Sequence, residues 1–140
     1  MGAEKADITL FGATGFVGKL TAEHLFRRCN EEGLTLALAG RRREALDALA
    51  TELVSQEPGR TLGVGKPTVL VADTDDPASL LQMAQGSSVV ASTVGPYATF
   101  VTPLVEACVS SGTDYCDLTG EVQWVRRVID RFHKVAQVSG

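Results

Sequence analysis

Residues 8–20, ITLFGATGFVGKL, set three glycines, Gly12, Gly15 and Gly18, at intervals of three directly behind a short apolar run. Residues 7–11 read as a short apolar strand. From Phe16 to about Asn30 the apolar positions Val17, Leu25, Phe26 and Cys29 recur at helical spacing, and Gly33 follows as a stop. Glycines between a strand and a helix are informative because each missing Cβ has a purpose. Gly12 permits the tight turn off the strand, Gly15 lets a pyrophosphate approach the backbone, and Gly18 lets the helix pack closely on the sheet. The candidate cradle is Gly12, Ala13, Thr14, Gly15, Phe16, Val17 and Gly18, with the N–H groups of residues 14–17 facing phosphate oxygens at the positive helix end.

The same alternation runs outward along the chain. Residues 34–40, LTLALAG, are apolar nearly throughout, as in a strand covered on both faces. Leu46, Leu49, Ala50, Leu53 and Val54 form a helical stripe. Residues 55–66, rich in glycine, read as a flexible surface connection. Residues 67–72 predict a third strand, and Asp76-Pro77 a helix start carrying Leu80, Leu81 and Ala84. Residues 88–94 predict a fourth strand ending at Gly95-Pro96. Thr102-Pro103 opens a further helix, residues 114–118 form a fifth strand, and Val125, Val128, Ile129, Phe132 and Val135 mark a last helix. Such alternation implies parallel strands joined by right-handed helical crossovers. The fold class is α/β: a three-layer, Rossmann-type doubly wound parallel sheet occupying residues 1–140, ending where a sixth strand is due. The chain therefore reads as the first part of a longer protein.

Composition agrees. A 140-residue chain with 44% hydrophobic and 21% charged residues is one ordinary globular domain. A net charge of −4 gives no reason to expect nucleic acid, whose binding needs clustered cationic surface. No apolar run approaches the roughly 20 residues that span a bilayer, and the charged N-terminus does not resemble a signal peptide. Cys29, Cys108 and Cys116 are scattered and His24 and His133 are the only histidines, so no metal site is expected. The thiols read as buried and free, in a reducing, cytoplasmic setting.

The ends of the other strands extend the groove. An NAD site usually places a carboxylate about 20 residues past the glycines; here Gly40 stands in that position, followed by Arg41, Arg42 and Arg43. A guanidinium can bond a 2′-phosphate bidentately, so Arg41 and Arg42 point to NADP(H), against the plainer alternative of a solvated basic helix start. Asp73 could accept from the adenine amino group or could simply join the turn DTDDP. Val94, Gly95, Pro96 and Tyr97 could pass beneath the ribose and nicotinamide or could be ordinary turn chemistry.

Catalytic groups are harder to find. Tyr97 is followed four places on by Val101 and Tyr115 by Thr119, so the Tyr-x-x-x-Lys pair of short-chain reductases is missing. The catalytic residues are absent from the chain or lie beyond Gly140.

ITLFGATGFVGKL, LALAGRR, STVGPY and YCDLTGE together resemble the N-terminal NADP-binding domain of the saccharopine dehydrogenase-like family, which includes mycobacterial trans-acting enoyl reductases. The resemblance implies hydride transfer to or from an imine or amino acid, or an enoyl thioester of lipid metabolism, with the substrate held by a separate domain. It also puts the family's Asp-Leu-Thr-Gly-Glu stretch on residues 117–121. Asp117 and Glu121 are then candidate groups orienting nicotinamide or substrate, although Glu121 also suits the first turn of its own helix. The alternative is an NmrA-like NADP(H)-sensing regulatory domain without catalysis. Cofactor binding without turnover is expected of this chain alone. Apolar surface around Trp124 and the fifth-strand edge would favour self-association into a homo-oligomer.

Overall fold

The computed structural model describes residues 4–57 and 65–140. Five parallel strands, β1 (Ala6–Phe11), β2 (Leu36–Gly40), β3 (Thr68–Val71), β4 (Ser87–Ser92) and β5 (Asp114–Asp117), form one sheet in the order β3-β2-β1-β4-β5. The helices are α1 (Phe16–Glu32), α2 (Arg43–Gln56), α3 (Pro77–Gln85), α4 (Tyr97–Phe100), α5 (Thr102–Ser111) and α6 (Val122–Ser139). The doubly wound arrangement follows from strand order. The chain runs outward from β1 through β2 to β3, then returns to β4 on the other side, leaving a crevice at the reversal beside β1.

Alternating side chains divide the core in two. Leu10, Leu36 and Leu38 pack with Phe26, Cys29, Leu46, Leu49 and Leu53 of α1 and α2. Phe11, Ala39 and Val90 pack with Leu80, Leu104, Cys108, Trp124 and Phe132 of the helices on the opposite face. In the middle of the sheet Thr9 would be a buried polar liability, but its hydroxyl lies 2.6 Å from that of Ser87, which donates on to the Met83 carbonyl.

Local signals account for the boundaries. Gly33 closes α1 in the left-handed region at φ 70°. The Asp76 carboxylate accepts from the amides of Ala78 and Ser79 at the start of α3, with Pro77 in the first turn. The glycine-rich connection falls largely outside the described residues, and Ser55 and Gln56 belong to α2 rather than to it. α4 is a single turn without hydrophobic periodicity, which is why the sequence does not signal it.

Three expectations change. Cys116 is exposed on the edge strand β5, whereas Cys29 and Cys108 are buried. Trp124 is 4% exposed, not part of an apolar surface: its ring lies 5.6 Å from that of Tyr97, and its Nε1 donates to Thr102 Oγ1. Val54 closes the predicted stripe of α2 but is 42% exposed. The apolar surface of α6 is instead Val122, Ile129, Val135 and Val138.

Candidate functional site: a crevice at the strand ends

A cavity of about 420 Å³ opens above the carboxyl ends of β1, β2, β3 and β4. Gly12, Thr14 and Gly15 line its centre, Gly40, Arg41, Arg42, Thr74 and Asp75 one end, and Thr93, Val94, Gly95 and Phe100 the other.

The three glycines are distinguished by what a Cβ would meet. At Gly12, where φ is +89°, it would lie 2.8 Å from Thr93 Oγ1 and from Val94 Cγ2. At Gly18 it would lie 1.9 Å from the Gly12 carbonyl oxygen, so the helix start presses directly on the loop. Gly15 differs: its nearest neighbour would be the same oxygen at 3.5 Å, an ordinary contact. The fold does not require glycine there, yet the residue faces the cavity. That is the cradle a Cβ would partly fill, and it fits a phosphate pressed against the backbone.

Hydrogen bonding sorts the rest of the loop. The amides of Gly12 and Ala13 both donate to the Ala39 carbonyl, and that of Gly15 to the Gly12 carbonyl. Ala13 is fully buried. It lies outside the cavity lining, as do Phe16, Val17 and Gly18. The first-turn amides of α1 have no intrahelical acceptor, no side chain caps them, and no acid sits in the turn. They leave a partial positive charge at the helix end beside Gly15. Thr93 Oγ1 donates to the carbonyls of Phe11 and Gly12 and so ties the loop to β4.

At the β2 end, Arg41 and Arg42 are exposed. Gly40 at the strand terminus offers no carboxylate to repel a third phosphate. Asp73 does not reach the cavity: its carboxylate accepts from the Asp75 amide and shapes the turn. Thr74 and Asp75 line the cavity in its place. The two-residue offset arises because Asp73 is consumed as a turn-former, a role that composition alone cannot distinguish from ligand binding.

At the β4 end, Val94 and Gly95 line the cavity but Pro96 and Tyr97 do not. Gly95-Pro96 is a cis peptide. The Tyr97 ring turns into the core, where its hydroxyl donates to the Ser92 carbonyl and burial raises its pKa above the usual phenol value. Phe100, from the unsignalled α4, supplies the aromatic surface instead. Neither Asp117 nor Glu121 lines the cavity. Asp117 accepts from the Tyr115 hydroxyl at 2.6 Å and from the Thr119 amide. Burial, then this bond, holds the Tyr115 phenol far above its usual range. Glu121 does not cap its own helix; it accepts from the backbone amides of Tyr97 and Ala98.

A glycine cradle at a helix start, set at the reversal point of a doubly wound parallel sheet, defines a dinucleotide-binding Rossmann domain. Residues 8–140 match the saccharopine dehydrogenase NADP binding domain, and the chain belongs to that family, whose cofactor is NADP(H). It is 46% identical over 134 residues to a trans-acting enoyl reductase of Mycobacterium leprae, covering 96% of this chain and 30% of the relative. The chain thus spans about 30% of the length of the curated relatives it matches. Among solved structures, the apo saccharopine dehydrogenase (L-Glu forming) of Saccharomyces cerevisiae superposes with a TM-score of 0.66 at 20% identity, over 88% of this chain and 24% of that one. The triphenylmethane reductase of Citrobacter sp., complexed with NADP(H), gives 0.63 at 19% identity, over 95% and 46%. At such identities these two establish the shared fold. No described helix is long and apolar enough to cross a membrane.

Proposed function

We propose that this chain is the NADPH-holding part of an oxidoreductase that reduces an enoyl thioester of lipid metabolism. The observation that carries the cofactor assignment is Gly15, a glycine the fold does not need at the centre of the crevice. The enoyl substrate is favoured over an imine or amino acid by the relatives of 44–46% identity, which are enoyl reductases. Gly12, Thr14 and Gly15 receive the pyrophosphate beside the positive end of α1. Arg41 and Arg42 receive the 2′-phosphate and Asp75 faces the adenosine. Val94, Gly95 and Phe100 border the nicotinamide half.

When bound, the cofactor supplies a hydride for the β-carbon of the conjugated double bond. The chain's own part is to bind, orient and shield. Tyr97 and Tyr115 are both hydrogen-bonded within the fold, with pKa values raised by burial. Neither phenol is poised to protonate a substrate, so the proton for the α-carbon comes from a group outside this set. The 140-residue chain therefore binds NADPH without oxidising it. The test is NADPH absorbance with a short enoyl thioester: this chain should leave it unchanged, whereas a protein of the relatives' full length should consume it. Turnover by the 140-residue chain would refute this division of labour. Consumption with a cyclic imine but not with the enoyl thioester would refute the substrate class.

A further inference from the structure

Glu121 stands apart from the crevice, yet it is bound to the segment that forms one end of it. Its Oε1 accepts from the Tyr97 amide at 2.7 Å and its Oε2 from the Ala98 amide at 3.0 Å. These are the first two amides of α4, whose N-cap is Pro96 and carries no capping side chain. Twenty-four residues of sequence separate the carboxylate from Tyr97. Few local alternatives exist for these amides, since a one-turn helix begins with N–H groups that have no partner within it.

The carboxylate is itself held from behind. The Glu121 amide donates to Thr119 Oγ1, the Thr119 amide to Asp117 Oδ1, and the Tyr115 hydroxyl to Asp117 Oδ2. On the other side of the clamped residue, the Tyr97 hydroxyl donates to Ser92 at the end of β4. Together with the packing of Tyr97 on Trp124, this fixes the segment from Ser92 to Ala98 between β4 and the start of α6. Val94 and Gly95 line the cavity in the middle of that segment, and Phe100 lines it at the end of α4.

We infer that Glu121 is a positioning residue: it clamps α4 so that Val94, Gly95 and Phe100 are set for the nicotinamide half of the cofactor, while leaving the adenosine half untouched. The inference rests on the crevice being the NADPH site. Its distinguishing feature is spatial. Arg41, Arg42 and Asp75 lie at the opposite end of the cavity, beyond the ends of β2 and β3, and share none of these hydrogen bonds. A loss of the clamp should therefore weaken one half of the ligand selectively. Because one carboxylate oxygen meets each amide, glutamine can keep one bond and alanine neither.

The experiment is calorimetric titration of wild type, Glu121→Gln and Glu121→Ala with NADPH and with 2′,5′-ADP, which carries only the adenosine half. Loss of charge-assisted bonds of this kind should weaken NADPH about tenfold in Glu121→Ala, with partial recovery in Glu121→Gln. Binding of 2′,5′-ADP should stay within about twofold of wild type if the two ends are independent. In parallel, the amide proton resonances of Tyr97 and Ala98 should shift in Glu121→Gln without cofactor, while those of residues 40–42 stay in place. Unchanged NADPH affinity, or equal weakening of both ligands, would overturn the inference. Should Glu121→Ala fail to fold, Glu121→Gln carries the same comparison. If wild type binds neither ligand, the cofactor reading fails, and this inference with it.

Discussion

Gly15 and Gly18 are three residues apart in one motif, yet alanine should do opposite things at the two positions. At residue 18 the new Cβ would fall 1.9 Å from the Gly12 carbonyl oxygen and 2.9 Å from the carbonyl carbons of Gly12 and Ala13. All three are backbone atoms, so no rotamer change can relieve the overlap. The start of α1 must lift from the loop, at a cost of at least about 3 kcal/mol. For a chain of this size that corresponds to a fall in Tm on the order of 10 °C. At residue 15 the nearest contact is 3.5 Å and φ is −71°, which any residue adopts. Alanine is a poorer N-cap than glycine by a fraction of about 1 kcal/mol. The reduced freedom of the unfolded chain returns ~0.4–1 kcal/mol. Stability should then change by less than about 1 kcal/mol. The methyl group would, however, stand where a phosphate must meet the backbone, and lost charge-assisted bonds should weaken NADPH at least about tenfold. Urea denaturation followed by calorimetric titration separates the two effects. Gly15→Ala unfolding as easily as Gly18→Ala, or binding NADPH as wild type does, would refute the assignment of Gly15 to the cofactor.

Two other predictions concern stability and reactivity. Asp7 accepts from the backbone amide and the hydroxyl of Thr35, which hold its carboxyl below the ordinary value of 3.8. A depressed folded-state pKa contributes stability above the unfolded value that is lost as pH falls through the folded one. Asp7→Asn should therefore flatten the decline in melting temperature below about pH 4; an unchanged acid limb would contradict this. Among the three thiols, Cys116 should react first with an aromatic disulfide reagent, because Cys29 and Cys108 are buried and burial pushes Cys108 up to about 12. Cys116→Ser should remove the fast phase seen before unfolding, and a fast phase that persists would place an exposed thiol elsewhere.

The features legible in the sequence were those encoded over a few neighbouring residues. The strand–glycine–helix run around Gly12, the cap at Asp76 and the stop at Gly33 each depend on contacts within a turn or two. Alternating apolar segments gave the five strands and the three-layer architecture because a parallel sheet covered on both faces needs continuous apolar runs. What was hidden depends on distant partners or on direction. Tyr97 follows the cavity-lining Gly95 closely, but its ring turns inward to Trp124. Glu121 has a sequence position suited to its own helix and spends its carboxylate on Tyr97 and Ala98 instead. Asp73 and Asp75 share one acidic turn; Asp73 accepts from the Asp75 amide, and Asp75 is the one of the two that lines the cavity. Cys116 lies in a strand, but that strand is at the sheet edge, a fact set by topology rather than by its own residues.

The central claim is that the crevice holds NADP(H) and reads its 2′-phosphate with Arg41 and Arg42. Calorimetric titration of the chain with NADPH and NADH, repeated with Arg41→Ala and Arg42→Ala, tests it most directly. NADPH should bind at least about tenfold more tightly than NADH, and each substitution should reduce that preference while leaving NADH nearly unchanged. Equal affinity for the two nucleotides, or a preference that survives both substitutions, would contradict the account.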